Sequence, residues 1–338
     1  MAAVGSVERR MKLPITLIVS IDTEEDNWAP ARTGITVENI RELPRLDRWF
    51  ERLGVRATYF TSFQVAIQPW AASILRHIAS RDRAEVGAHL HPWNTPPLEE
   101  PLVARNTVMR NLPQRLQEAK IRTLTDMLVA GVGRRPAVFR AGRWGFGTST
   151  AAALLACGYR IDSSVTPFVS WRAYDDGPSH IGAPLEMYRL DECGDPRVPV
   201  PGGPLVEVPT SCGYSRNPPW FWGRLHGVLE HSALRRLRLV GIASRLGLVR
   251  RIALSPETDS VADMFTLSRR LIEHGVRHLH LTWHSPSLRP GLSPFVATRA
   301  HVARLYATVE SYLERLAVLA TVTFATLSEA VRMLVPDA

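Results

Sequence analysis

Cysteine is scarce in this chain, with three among 338 residues at positions 157, 193 and 212. An odd number at spacings that match no zinc motif excludes a disulfide-built scaffold and a thiolate metal site, and a reducing compartment is the expectation. Long apolar runs are also lacking. ITLIVSI (15–21) is too short to cross a bilayer, has no small-residue cleavage site behind it and runs into acidic residues. It therefore reads neither as a signal peptide nor as a membrane span, and a cytoplasmic protein is expected. No internal repeat is present. The arginines are spread along the chain and not gathered into a recognised nucleic-acid-binding motif, so no nucleic-acid partner is expected.

What is present is a core-forming composition, 45% hydrophobic, with a net charge of +9 that favours acidic or phosphorylated partners. Short β-rich runs alternate with helical ones. ITLIVSID (15–22), RATYF (56–60), EVGAHLH (85–91), AVFRAG (137–142), GYRIDSS (158–164), LVEVPTS (205–211), HLHLTWHS (278–285) and VTFATL (322–327) read as strands. A helix with Leu43, Leu46, Trp49, Phe50 and Leu53 on one face ends at Gly54; others are expected at 70–80, over much of 100–131, and at 148–157, 259–274, 298–317 and the C-terminus. This alternation without a clean break predicts one parallel α/β domain over 1–338, as a barrel or an open sheet. Residues 168–255 interrupt it, first rich in Pro, Gly and Trp, then strongly basic at 233–251, and read as an insertion or cap. The basic stretch is expected to be a solvated surface helix, with peripheral membrane or polyanion contact as the sharper alternative.

In parallel α/β folds the carboxyl ends of the strands carry the chemistry. Five predicted strands place ionisable groups there: Asp22 with Glu24 and Asp26, His89 with His91, Arg140 with Arg143, Asp162, and His284. One such residue is commonly a helix cap, but ionisable groups on five strand ends at one edge are costly unless paired or metal-bound. His89 and His91, one residue apart on a strand, point the same way. Two imidazoles and a carboxylate make a divalent-metal site with open positions, a second carboxylate can take a proton from water, a histidine opposite can protonate a leaving group, and an arginine can hold the base ionised. The set fits metal-assisted hydrolysis of an amide or ester.

The order of these motifs, SIDTEED, GAHLHPW, FRAGRWGFG, YRIDSSVTP and LTWHS, resembles the polysaccharide deacetylase family (NodB homology, carbohydrate esterase family 4) over about 15–330 apart from the insertion. Taken whole, the chain resembles its WalW-like branch of surface-polysaccharide biosynthesis. The resemblance implies a distorted or incomplete (β/α) barrel of seven or eight parallel strands. It implies Asp22 as general base, Glu24, His89 and His91 as metal ligands, Arg140 holding Asp22, His284 as general acid and Asp162 orienting it. Trp93, Arg143 and Trp144 would line the sugar site, and Glu207 would touch substrate or form a salt bridge at the barrel mouth. The cofactor would be a divalent metal, zinc first, with cobalt, nickel or iron as alternatives. The partner would be an acetylated sugar or glycan intermediate, nucleotide- or lipid-linked.

The chain departs from the family pattern. Its histidines are one residue apart and not three, and Gly87 stands where the wider spacing would put the first. Glu24 replaces an aspartate, Asp26 is a rival ligand, and the Arg140 motif lacks the family's proline and tyrosine. A carbohydrate-binding relative with weakened catalysis is the alternative reading. The amidohydrolase class also uses a His-x-His pair, but on its first strand, which here is acidic. His278 and His280 are expected to be structural or to support the site from behind. His77, His180, His226, His231, His274 and His301 are expected to be surface or packing residues, and Trp220 and Trp222 to cover the site or anchor the cap.

Overall fold

The run ITLIVSID forms the middle of the central strand, β1 (Leu13–Thr23), buried along its length after the first two residues. Such a continuous apolar run marks a strand covered on both faces. The structure, a computed structural model, describes residues 12–335 apart from 27, 173–174, 193–194, 217–220 and 226–249. On one side of β1 follow β2 (Ala57–Thr61), β3 (Ala84–Leu90), β4 (Val138–Ala141), β5 (Ile161–Asp162) and β7 (Leu205–Glu207), each parallel to its neighbour. On the other lies β10 (His278–His284), also parallel. The last strand, β11 (Ala320–Ala325), pairs with the first half of β1, and β6 (Tyr188–Leu190) closes the far edge antiparallel to β7. The result is a nine-stranded, mostly parallel sheet in the order β10-β1-β2-β3-β4-β5-β7-β6, with β11 beside β1. It curls into the distorted barrel expected. Leu254 bridges the open side, donating to Ser211 O at 2.8 Å and accepting from Thr282 N at 3.1 Å.

Helices cover the outside: α1 (Leu43–Leu53), the short α2 (Phe63–Ala66), α3 (Pro69–Ser80), α4 (Gln114–Val132), α5 (Thr148–Ala156), α6 (Val261–Glu273), α7 (Arg299–Leu319) and α8 (Leu327–Leu334). The helix expected over 100–131 begins only at Gln114. Pro97, Pro101 and Pro113 break the chain before it, leaving a loop with two single 3-10 turns. This loop starts with His91-Pro92-Trp93 and is anchored by the fully buried Lys120, whose Nζ donates to the carbonyls of Pro92 (2.9 Å), Thr95 (2.7 Å) and Pro97 (2.7 Å) and to Glu100. The segment 168–255 is interleaved with the barrel, since it contributes β6 and β7 to the sheet. It also contributes a small hairpin of β8 (Cys212–Tyr214) and β9 (Arg251–Ala253). The basic stretch 233–251 lies, but for its last two residues, outside the described residues, as do Trp220, His226 and His231. Among the described residues no helix is long and apolar enough to cross a membrane.

Candidate metal centre and active-site pocket

β1 and β3 are separated only by β2, so the ends of SIDTEED and GAHLH meet at one mouth of the barrel. Glu24 Oε2 lies 3.3 Å from His89 Nε2 and 3.3 Å from His91 Nε2, and the two Nε2 atoms are 3.0 Å apart. All three residues are buried, and among the described residues this is the one group of three ligating side chains close enough to hold a metal. The outer nitrogens test the fit. His91 Nδ1 donates to Glu25 Oε1 at 2.7 Å and His89 Nδ1 donates to the Arg140 carbonyl at 3.1 Å. Both partners are acceptors only, so each Nδ1 carries its N–H outward and each Nε2, facing Glu24, is the nitrogen left to bind a metal, the orientation metal-ligating histidines need. Burial alone would lower the His91 imidazole, but Glu25 and Glu24 on either side lift it to about 10. Burial would likewise raise Glu24, yet the two imidazoles hold it well below the usual carboxylate range. The place stabilises positive charge, and the donor set fits a divalent cation.

Strand parity from Asp22 points to Glu24 and Asp26 and passes over Glu25. The strand ends at Thr23, so parity lapses there. Glu25 turns inward and is itself held by Asn94 Nδ2 (2.6 Å) and Ser62 Oγ (3.0 Å). Asp26 turns away: its carboxylate accepts from Thr36, from the backbone of Glu38 and Asn39 and from the Asn39 side chain, and takes no part in the centre.

Asp22 stands beside the metal group. Arg140 NH1 donates to its Oδ1 at 2.5 Å. Burial would raise the Asp22 carboxyl; the Arg140 guanidinium, with His89 and His284, overrides it and keeps the pKa below the ordinary value. Arg140 is fully buried and spends all five N–H donors, on Asp22, Thr282 Oγ1, Ser163 O, Ser163 Oγ and His280 Nε2. Its Cζ lies 4.1 Å from the Phe60 ring centroid. His280 thus supports the site from behind, kept neutral by burial and by the neighbouring Arg140.

His284 approaches Asp22 from the other side, with Nε2 3.8 Å from Oδ2. Its Nδ1 donates to Glu257 Oε2 at 2.7 Å, so Glu257 and not Asp162 orients it. Burial would lower the imidazole, but Glu257 lifts it to about 10. Asp162 faces Glu207 across the β5–β7 register and bonds Ser164. Glu207 is fully buried, pairs with Asp162 and accepts from Val165 N at 2.9 Å, so it does not reach the pocket. Glu257 sits alone in a turn before α6, and no pattern in the sequence marks it.

The site opens into a cavity of about 690 Å³ lined by Asp22, Glu24, His89, His91 and His284 with Trp28, Trp93, Trp144, Trp171, Phe295, Arg143, Val108, Ala141 and Pro294. Trp93 stacks on His91 (4.3 Å, 18°), and Trp28 meets His284 edge-on at 4.8 Å. Trp93, Arg143 and Trp144 therefore lie where substrate contact was expected, while Trp222 lies elsewhere. Trp28, Trp171 and Phe295 come from loops and were not anticipated.

No family model matches the chain, and no curated protein matches it. Solved structures do. One is a Mycobacterium smegmatis protein assigned as a polysaccharide deacetylase, 18% identical, covering 99% of this chain and 94% of its own, with a TM-score of 0.52. A second, from Parabacteroides distasonis and assigned as a glycoside hydrolase/deacetylase, is 11% identical over 93% of this chain and 69% of its own, with a TM-score of 0.51. The family 4 carbohydrate esterase from Streptomyces lividans is also matched, at 12% identity over 94% of each chain and a TM-score of 0.42. The chain has the fold of the polysaccharide deacetylases.

Proposed function

We propose that this chain is a metal-dependent hydrolase that removes an acetyl group from an N- or O-acetylated sugar. One observation carries the reading. A Glu24–His89–His91 donor set, an ionised Asp22 and a protonated His284 border the same pocket, and the base and the acid are each held by a separate buried partner. Held by Glu24, His89 and His91, a divalent metal would supply Lewis acidity toward an acyl carbonyl and water. Zinc is the first choice, and cobalt, nickel and iron suit the same ligands. With Oδ1 tied to Arg140, Asp22 presents Oδ2 to accept a proton from the attacking water. His284 carries a proton on Nε2, on the pocket side, for the departing amine or alkoxide. The tryptophan faces suit the apolar faces of a sugar ring.

The substrate is assigned to the intermediates of surface-polysaccharide assembly, nucleotide- or lipid-linked, in a cytoplasmic WalW-like branch. The order of the sequence motifs and the net charge support this, and Cys157 and Cys212, free and buried, suit a reducing compartment. Peripheral membrane contact through 233–251 rests on the arginine content of that stretch. The test is acetate release from acetylated sugars by zinc- or cobalt-loaded protein, with Asp22→Asn beside the wild type. Release by the wild type, nearly abolished in the variant with metal retained, is expected. Unchanged turnover in the variant would overturn the role of Asp22. Glycan binding with no acetate from the loaded wild type would replace the enzyme with the carbohydrate-binding alternative.

A further inference from the structure

The turn after β4 carries a feature that metal binding and proton transfer do not use. Arg143 (φ 54°, ψ 26°) and Trp144 (φ 54°) are consecutive non-glycine residues in the left-handed region, a conformation that glycine or asparagine adopts at lower cost. The preceding Gly142 is pressed against the centre, where a Cβ would stand 2.4 Å from His91 Cδ2 and 2.8 Å from Leu90 O. The turn is thus pinned to a proposed metal ligand, and its strain delivers two side chains to the pocket. Apart from the histidines, Arg143 is the one basic residue in the pocket lining among the described residues.

Its guanidinium lies over Trp93, with Cζ 5.1 Å from the ring centroid. NH1 donates to Thr107 Oγ1 at 2.9 Å and to Asp175 Oδ2 at 3.1 Å. Nε and NH2 have no acceptor among the described residues. These two form one edge of the planar fork, the edge that takes an oxyanion bidentately. The Arg143–Asp175 pair is about one third exposed on each side, so it is partly solvated. The same indole that carries Arg143 stacks on His91, so a single ring system separates the cation from the metal group.

Resting on the deacetylase reading, we infer that Arg143 recognises an oxyanion on the substrate, phosphoryl or carboxyl, about one sugar ring from the acyl group. Asp175 holds the guanidinium through NH1 and damps its field, leaving the Nε/NH2 edge to the ligand. An acetamido uronate, with its carboxyl across the ring, has this spacing, and a sugar 1-phosphate with an acetamido group on the next carbon carries its oxyanion closer to the acyl group. Neutral acetylated sugars leave the fork unused.

The test is binding to the zinc-loaded full chain, followed by tryptophan fluorescence, with three probes: N-acetylglucosamine, its 1-phosphate and the corresponding 6-carboxylate. The wild type is expected to bind at least one anionic probe about tenfold or more tighter than the neutral sugar. The better of the two tells phosphoryl from carboxyl. Arg143→Gln is expected to bring the preference to within about twofold, and Asp175→Asn to enlarge it. Equal binding of all probes, binding of none, or a preference that survives Arg143→Gln would overturn the assignment. So would Asp175→Asn losing the preference, which would make the pair purely structural; this variant decides alone if Arg143→Gln does not fold. Acetate release measured in parallel tests the deacetylase reading separately, because a preference without acetate keeps Arg143 in its role and removes the chemistry.

Discussion

The charge on Asp22 depends on Arg140, and the charge on His284 on Glu257. Replacing Asp22 by Asn keeps the shape and removes the proton acceptor, so turnover should fall by about 10²–10⁴-fold with metal content unchanged. Glu257 raises the His284 pKa to about 10 and so keeps the imidazole protonated through neutrality. Glu257→Gln withdraws that support. The alkaline limb of the activity profile should then move down toward the ordinary histidine range, about 6.5, while the acid limb stays. A profile unmoved by the substitution would contradict Glu257 as the group that sets His284. The Asp162–Glu207 pair behaves differently. Burial pushes Glu207 well above the usual carboxylate range and Asp162 up to about 6. A raised folded-state pKa means that the stabilisation is complete below the unfolded value, about 4, and is lost as pH climbs through the folded values. Glu207→Gln fixes the neutral state, so its urea midpoint relative to wild type should improve steadily from about pH 4 to neutrality. A constant difference across that range would show that the pair does not share a proton.

At the scale of elements, β3 explains the shortened histidine pair. A Cβ at Gly87 would stand 2.7 Å from Val138 Cγ2 and 2.8 Å from Phe60 Cδ1, so no histidine fits there. Phe60 fills that layer instead and carries the Arg140 guanidinium on its face. The same crowding makes Gly142→Ala informative. Its methyl group would displace His91, at a cost of about 1–3 kcal/mol in stability and with a larger proportional loss of zinc affinity, which a zinc titration of the folded variant measures. Strand ends were the most legible part of the sequence. β1, β3 and β10 are the longest strands of the sheet, and the polar residues that end them fall at one mouth, so Asp22, Glu24, His89, His91 and His284 could be placed together. What was not legible comes from loops and short elements. Glu25 lies just past the point where strand periodicity stops. Glu257, Trp28 and Phe295 sit in turns with no period to follow. Asp162 was misplaced because the resemblance gave it a partner, whereas β5 is two residues long and pairs it with β7.

At the scale of the molecule, the barrel buries Glu24, Glu25, His89 and His91 together at the metal group, an arrangement whose negative charge a bound cation neutralises. Metal bound only by the folded chain should raise stability by about 2.7 kcal/mol at a free concentration one hundred times the dissociation constant, read as a shift in Tm that a chelator reverses. Binding, folding and catalysis therefore share one point of failure. The most direct test is the metal content of the purified chain, by elemental analysis, for the wild type and for a His89→Ala/His91→Ala double variant whose circular dichroism confirms the fold. About one equivalent in the wild type, lost in the folded double variant, is the predicted result. No metal in the wild type after addition of zinc or cobalt, or metal retained by the double variant, would contradict the account.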